Sequence, residues 1–237
     1  MTELADRIDP WPFRHLVLRA PRLELRPDDD EGLLELAEVA VTGVHPPEGL
    51  PLGRLWRDES TEDIAQGLVQ ALWRDRANLS PVDWSLNFLV RQGGQVIGFQ
   101  GISANQFAVK REVATASWLG IPFQGKGFGT EARAAVLTMA FDYLAAVQAR
   151  TTAWEDAHAS QQVSRKLGYR PDGTERGVRR GHPGSFIRML LRRSDFDHYR
   201  PPWSLEVEGL QPCLPLLGTE MPMCSPGLCP VKGCAGS

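Results

Sequence analysis

Seven residues, Gln124-Gly125-Lys126-Gly127-Phe128-Gly129-Thr130, set three glycines on alternate positions just before a run with helical apolar spacing. Glycine lets a backbone turn tightly and approach a ligand without a Cβ in the way. A helix starting there points its unpaired N–H groups and its positive end into the loop, an arrangement that cradles phosphate oxygens. Lys126 adds a cation, although the backbone N–H groups do most of such binding. The spacing excludes a Walker A loop, which needs GxxxxGK and then Ser or Thr. It also excludes the dinucleotide fingerprint GxGxxG, because the third glycine comes one residue early and residues 149–151 read Ala-Arg-Thr rather than supplying an acid. Taken alone, the same turn also suits a tight strand-to-helix connection.

Other residues could move protons. Glu155 and Asp156 close a β-prone run at 150–155, and Glu112 opens the strand that leads into the glycine loop. Each could relay a proton through water, and each equally suits a solvated surface charge. His158 titrates in a useful range but stands alone. Ser160 lies where a helix begins and could satisfy backbone donors there. Trp56, Trp73 and Trp84 could wall a cleft or pack in a core. The four cysteines, Cys213, Cys224, Cys229 and Cys234, all fall in the last 25 residues, outside the expected core. Their intervals do not match paired CxxC zinc spacing, so no metal site is expected.

These residues are positioned by a definite order of elements. Residues 16–18 and 23–26 read as a first extended segment limited by Pro21 and Pro27. Asp28 to Asp30 supply acidic helix-start residues, and helical spacing over 33–41 stops at Gly43. A Pro/Gly-rich loop around Trp56 follows, then a second helix capped by Ser60 or Thr61 and ending before Pro81. Residues 84–91, with Leu86, Phe88 and Val90 on one face, turn at Gln92-Gly93-Gly94 into a partner strand over 95–102. A third strand, 112–119, enters the glycine loop. From Gly129 a helix of about 18 residues follows, then the strand 150–155 and a helix over 160–167 stopped by Gly168. Two final strands are expected at 173–180 and 186–191. Hairpins joined to helical crossovers imply a mixed sheet.

At 237 residues the chain is long enough for one domain of about 200 residues with a substantial core. The organisation expected is a leader at 1–15, a single domain at 16–211 and a Cys/Pro/Gly-rich tail at 212–237. A net charge of −3 argues against general nucleic-acid or anionic-membrane binding. No apolar run approaches ~18 residues, and the acidic N-terminus lacks a secretory pattern, so a cytoplasmic protein is the default.

The pattern Gln124-x-x-Gly127-x-Gly129 resembles the acyl-CoA pyrophosphate loop of the GNAT superfamily of N-acyltransferases. The element order agrees from about Leu18 to Arg193. Ala20-Pro21-Arg22-Leu23-Glu24-Leu25-Arg26-Pro27 resembles the opening of the RimJ/RimL branch, and Val163-Ser164-Arg165-Lys166-Leu167-Gly168-Tyr169 its Leu-Gly-Tyr/Phe helix ending. Ser117-Trp118-Leu119-Gly120 and the loop through Glu131 are similar to an actinobacterial subset that includes a mycobacterial succinyl-CoA-using enzyme. The resemblance implies an α/β (α+β) fold with a mixed, mostly antiparallel sheet of about seven strands and flanking helices. It implies acetyl-CoA or succinyl-CoA as co-substrate, an amine of a protein or small molecule as acceptor, and leaves a homodimer open. The pyrophosphate would lie on Gln124, Gly125, Lys126, Gly127, Phe128, Gly129 and Thr130, and the pantetheine arm along Trp118, Leu119 and Gly120. An N–H near Leu119 would serve the oxyanion. Ser160 matches the branch serine beside the CoA sulfur, with Ala157 where the branch has Asn. Glu155 and Asp156 stand as catalytic acid/base candidates, and Tyr169 is expected to pack in the core. A non-catalytic acyl-CoA sensor is the competing reading.

Overall fold

The structure, a computed structural model, describes residues 9–44, 60–179 and 181–219. Residues 17–19 form β1 (Val17–Arg19), and β2 (Glu24–Pro27) returns antiparallel to it, so Pro21 splits the expected single extended segment into two strands. Helix α1 (Asp30–Thr42) starts where the Asp29 carboxylate accepts from the Gly32 N–H at 2.6 Å and ends at Gly43. Helix α2 (Thr61–Asn78) starts at Ser60, whose hydroxyl accepts from the Asp63 N–H. The loop around Trp56 lies outside the described residues.

Strands β3 (Asp83–Gln92) and β4 (Gln95–Asn105) form the expected hairpin, with Gly93 and Gly94 both at positive φ as a two-residue turn requires. A short helix α3 (Phe107–Lys110) leads to β5 (Glu112–Leu119). Helix α4 (Phe128–Thr138) continues as a π turn over Met139–Tyr143 into β6 (Gln148–Trp154). Helix α5 (His158–Lys166) ends at Leu167, with Gly168 left-handed as a C-terminal stop. The chain closes with the hairpin β7 (Arg170–Arg179) and β8 (His182–Arg192), helix α6 (Arg193–Tyr199) and β9 (Glu206–Glu208).

The nine strands form one sheet in the order β7-β8-β6-β5-β4-β3-β2-β1-β9, two more than the sequence suggested, because β1 and β2 are separate and β9 extends the edge. Only β5 and β6 run parallel, and they pair over just three positions, Glu112 to Ala114 with Gln148 to Arg150. Beyond Ala114 the two strands diverge. One core lies on the α4 side of the sheet, around Phe88, Ile97, Val136 and Phe141; a second lies under α1 and α2, around Leu36, Leu72, Leu89 and Trp118.

Both chain ends contribute more than expected. Phe13, placed in the leader, is fully buried and packs against Trp11. Cys213, placed outside the core, is fully buried in a helical turn at Gln211–Cys213, and burial pushes its thiol up to about 12. Leu217 is also buried, and its carbonyl accepts from the Trp84 indole at 3.0 Å, so Trp84 is a core residue. The remaining cysteines lie outside the described residues.

At Gly98 in β4, a Cβ would collide with the Trp118 carbonyl oxygen and meet the Leu119 Cα at 2.7 Å, both backbone atoms of β5. Gly98→Ala is therefore expected to cost about 1–3 kcal/mol of unfolding free energy in urea melts. Asp28, 7% exposed beside Arg76, has its carboxyl pushed up to about 6 by burial, against the lowering pull of Arg76. Because its folded value lies above its unfolded one, its contribution is fully present at low pH and is lost as pH rises through 6. Relative to Asp28→Asn, the native protein should lose about 2 kcal/mol between pH 4.5 and 7.5. A flat difference across that range would refute the assignment.

Candidate active site

The divergence of β5 and β6 leaves a cleft of about 450 Å³, bounded by the end of β5, the glycine loop, the start of α4 and the face of α5. At its apex the strands are tied by side chains where the backbone ladder stops. The Thr151 hydroxyl donates to the Thr115 carbonyl at 2.9 Å, and the Thr115 and Tyr169 hydroxyls share a hydrogen bond at 3.1 Å. Tyr169 is 3% exposed, a core residue as expected, and burial raises its hydroxyl above the usual phenol range.

The loop owes its shape to two of its three glycines. Gly125 and Gly127 sit at φ of +72° and +85°, in the left-handed region that side chains resist. Gly129 is already helical, and a Cβ there would make only ordinary contacts. Gly127 is the N-cap of α4, and no side chain caps that end. The opening N–H groups of the helix, at Phe128, Gly129 and Thr130, thus face the cleft rim without a capping side chain. Lys126 is exposed, with its ammonium 5.8 Å from the Phe123 ring. Gln124 turns inward. Its amide donates to the carbonyls of Val44 at 2.6 Å and Leu119 at 2.7 Å, pinning the loop to the end of β5.

Trp118 and Leu119 line the cleft. The Gly120 N–H is given to the Ile97 carbonyl at 3.0 Å, which removes it as a ligand donor. Across the cleft, α5 begins at His158, two residues earlier than expected, and its N-cap is Ala157. Ser160 therefore sits inside the first turn and does not act as a cap. Its hydroxyl has no partner among the described residues, and the residue lines the cleft with Asp156, His158 and Val163.

The acid/base candidates separate. Asp156 is held by Arg179 at 2.6 and 3.0 Å, and that hydrogen bonding keeps its carboxyl below the usual range, which weakens it as a base. Glu155 is exposed and is not among the residues lining the cleft. Glu112 accepts from Gln148 at 2.5 Å and Arg150 at 2.8 Å at the paired end of the strands. Trp73 is 47% exposed and donates to Asp30, away from the cleft.

A model of the acetyltransferase (GNAT) domain matches residues 16–170, more than half of the chain. The chain belongs to the GNAT acetyltransferase family. Solved GNAT structures agree with the fold. Mycobacterium smegmatis RimJ in complex with CoA-disulfide is 17% identical, with a TM-score of 0.66 over 86% of this chain and 95% of that one. RimL, a ribosomal L7/L12 α-N-protein acetyltransferase solved with coenzyme A, is 16% identical, with a TM-score of 0.59 over 73% and 95%. A GCN5-related N-acetyltransferase from Brucella melitensis is 16% identical, with a TM-score of 0.61 over 78% and 81%. As a GNAT enzyme the protein is an acyl-CoA-dependent acetyltransferase.

Several residues that shape this GNAT cleft carry no motif signal of their own. Arg22, from the turn between β1 and β2, donates through Nε to Glu131 at 2.7 Å and through Nη1 to the Lys126 carbonyl at 3.0 Å. Its guanidinium also lies 4.7 Å from the Phe128 ring centroid. The Arg22 N–H donates to the same Glu131 carboxylate, which is 7% exposed. One arginine thereby fastens the glycine loop, the first turn of α4 and the edge of the sheet. Arg133, Ser117 and Ser164 form a second polar group under the cleft. A charge inside the apolar run 132–140 was the available hint.

Arg22→Ala should cost about 1–3 kcal/mol, because it strands a buried carboxylate. A double-mutant cycle with Glu131→Gln, read by urea melts, should show coupling of about 1 kcal/mol or more, and CoA affinity should fall in the arginine variant. Additive effects would separate the pair from the loop.

Proposed function

We propose that the protein transfers an acetyl or succinyl group from CoA to a primary amine by direct attack within a ternary complex. The observation that carries this reading is the convergence on one cleft of an uncapped helix start at Gly127, a divergent strand edge and an unbonded Ser160 hydroxyl. The N–H groups of residues 128–130 would hold the pyrophosphate, supported by the loop lysine. The cleft-facing end of β5 would pair with the amide-bearing pantetheine arm, and a β5 N–H would polarise the thioester carbonyl. Ser160 would give a proton to the departing sulfur.

The amine nitrogen must be neutral to attack. An α-amine, with a pKa near ~8, needs little help at neutral pH, whereas a lysine amine near ~10.4 needs a base. Since Arg179 makes Asp156 a weak base, the cleft suits the α-amine better, with water relaying its proton to Glu155 or to solvent. No cysteine lines the cleft among the described residues, in keeping with transfer that bypasses an acyl-enzyme.

Calorimetric titration should show saturable binding of acetyl-CoA, succinyl-CoA or both, and a thiol-release assay over α-amino peptides and lysine side chains should show turnover. Gly127→Glu should weaken CoA binding by ~100-fold or more, close to ~3 kcal/mol, through strain and like charge, and Gly127→Ala should weaken it less. Absence of binding to every CoA thioester refutes the proposal, and tight binding without thiol release converts it to a sensor.

A further inference from the structure

Arg133 is the unexpected charge in this molecule. It projects from α4 beneath the cleft, is 2% exposed, and lines the cleft together with Ser117 and Ser160. Its Nη1 donates to the Ser164 hydroxyl at 2.8 Å and its Nη2 to the Ser117 hydroxyl at 2.7 Å, while its Nε is buried with no partner. Among the described residues no carboxylate pairs with it. Glu131, two residues away on α4, is committed to Arg22. Burial holds the guanidinium below its usual range, with the Tyr169 hydroxyl acting in the opposite sense. A buried cation without a counter-ion is costly.

The two serine tethers reach opposite sides of the split. Ser117 belongs to β5. Ser164 belongs to α5, and its hydroxyl donates onward to the Ser160 carbonyl at 3.1 Å. Arg133 thus links the strand that would carry the pantetheine arm to the helical turn that carries the proposed proton donor.

We propose that Arg133 is the positioning residue for departure of the CoA sulfur: it sets Ser160 against β5 and supplies an uncompensated positive field where negative charge develops. The proposal rests on the acyl-CoA reading above. In the reaction the amine lone pair forms the C–N bond and the C–S bond breaks, leaving its electron pair on sulfur. The proton lost by nitrogen balances the one gained by that thiolate. A fixed, nearly sealed cation favours the step in which sulfur becomes anionic. Direct grip on a carboxylate of the acyl group fits less well, because the guanidinium is nearly sealed and both Nη atoms are engaged.

The other charges near α4 are already committed or stand at the rim. Asp156 is paired with Arg179 of β7, Glu112 of β5 with Arg150, and Arg19 of β1 with Glu24 and Glu208. Arg165 donates to Gln161 on its own helix, and His158 and Lys166 of α5 line the cleft from that side. On β4 the facing polar residue is the neutral Gln100, which donates to the carbonyls of Gly101 and Ala116.

The test is the ultraviolet thiolate titration of CoA bound at saturation to the native protein and to Arg133→Lys and Arg133→Gln. The native protein should hold the bound thiol below that of free CoA titrated in the same buffer, Arg133→Lys should keep most of that lowering, and Arg133→Gln should return the thiol upward by about one unit. With the best acyl-CoA and amine from the turnover panel, kcat should fall ~30-fold in Arg133→Gln while KM for acyl-CoA stays within ~3-fold. Identical thiol titration in the native and glutamine proteins overturns the proposal, as does a rise in KM at unchanged kcat. Loss restricted to dicarboxylic donors, with acetyl transfer intact, also overturns it and makes Arg133 an acyl-group reader. If Arg133→Gln fails to fold, the Ser117→Ala/Ser164→Ala double variant decides, since it keeps the cation; a bound thiol no longer lowered there overturns the proposal, and a thiol still lowered with kcat reduced supports it. Failure of the native protein to bind CoA would instead refute the underlying acyl-CoA reading, before any variant is compared.

Discussion

The parting of β5 and β6 is the constraint on which the rest of the structure depends. Two parallel strands that pair for three residues and then separate expose backbone edges inside the molecule, and buried polar edges must find partners. Near the apex the Thr151 hydroxyl supplies one, to the Thr115 carbonyl, while the Thr115 and Tyr169 hydroxyls bond each other. Farther out the strands separate and the cleft opens between the end of β5 and α5. The same split that would be a defect in a closed sheet is here the candidate binding site.

Keeping that split at a defined width requires rigid walls. On one side β5 is locked to β4 by a close approach of backbone at Gly98 and by the Gly120 N–H on the Ile97 carbonyl. Gln124 extends the lock into the glycine loop, and Arg22 fastens the other end of the loop to α4 through Glu131. On the far side α5 is held to β6 by the Gln161 amide, which donates to the Trp154 and Glu155 carbonyls at 3.0 and 2.9 Å. The glycine loop is thus tied down on both sides, and such preorganisation lowers the ordering cost of binding any ligand it takes.

Electrostatics divides the site in the same way. The loop end offers partial positive charge from a helix start and an exposed lysine, chemistry that suits an anionic group. The apex end holds one sealed guanidinium among hydroxyls, with its neighbouring carboxylate Glu131 turned away to Arg22. Asp156, the acid nearest the cleft, is neutralised by Arg179. Among the described residues lining the cleft, Asp156 is thus a carboxylate already tied to an arginine.

Much of this was legible in order and spacing alone. The glycines at 125 and 127, the hairpin at Gly93-Gly94 and the stop at Gly168 are local backbone requirements, so the sequence determines them without knowing the fold. The apolar faces of β3 and α1 follow from period for the same reason. Interactions between positions far apart in the chain were not legible: Arg22 reaches Glu131 across 109 residues, and Leu217 reaches Trp84 across 133. Ser160 was readable as a helix-start residue, but whether its hydroxyl caps the backbone or faces the cleft turned on a two-residue shift in the start of α5. Arg133 shows the limit most clearly. Its identity is written in the chain, but its burial, its two serine partners and its missing counter-ion arise only when α4, α5 and β5 pack together, because charge compensation belongs to three-dimensional neighbours and has no period along the sequence.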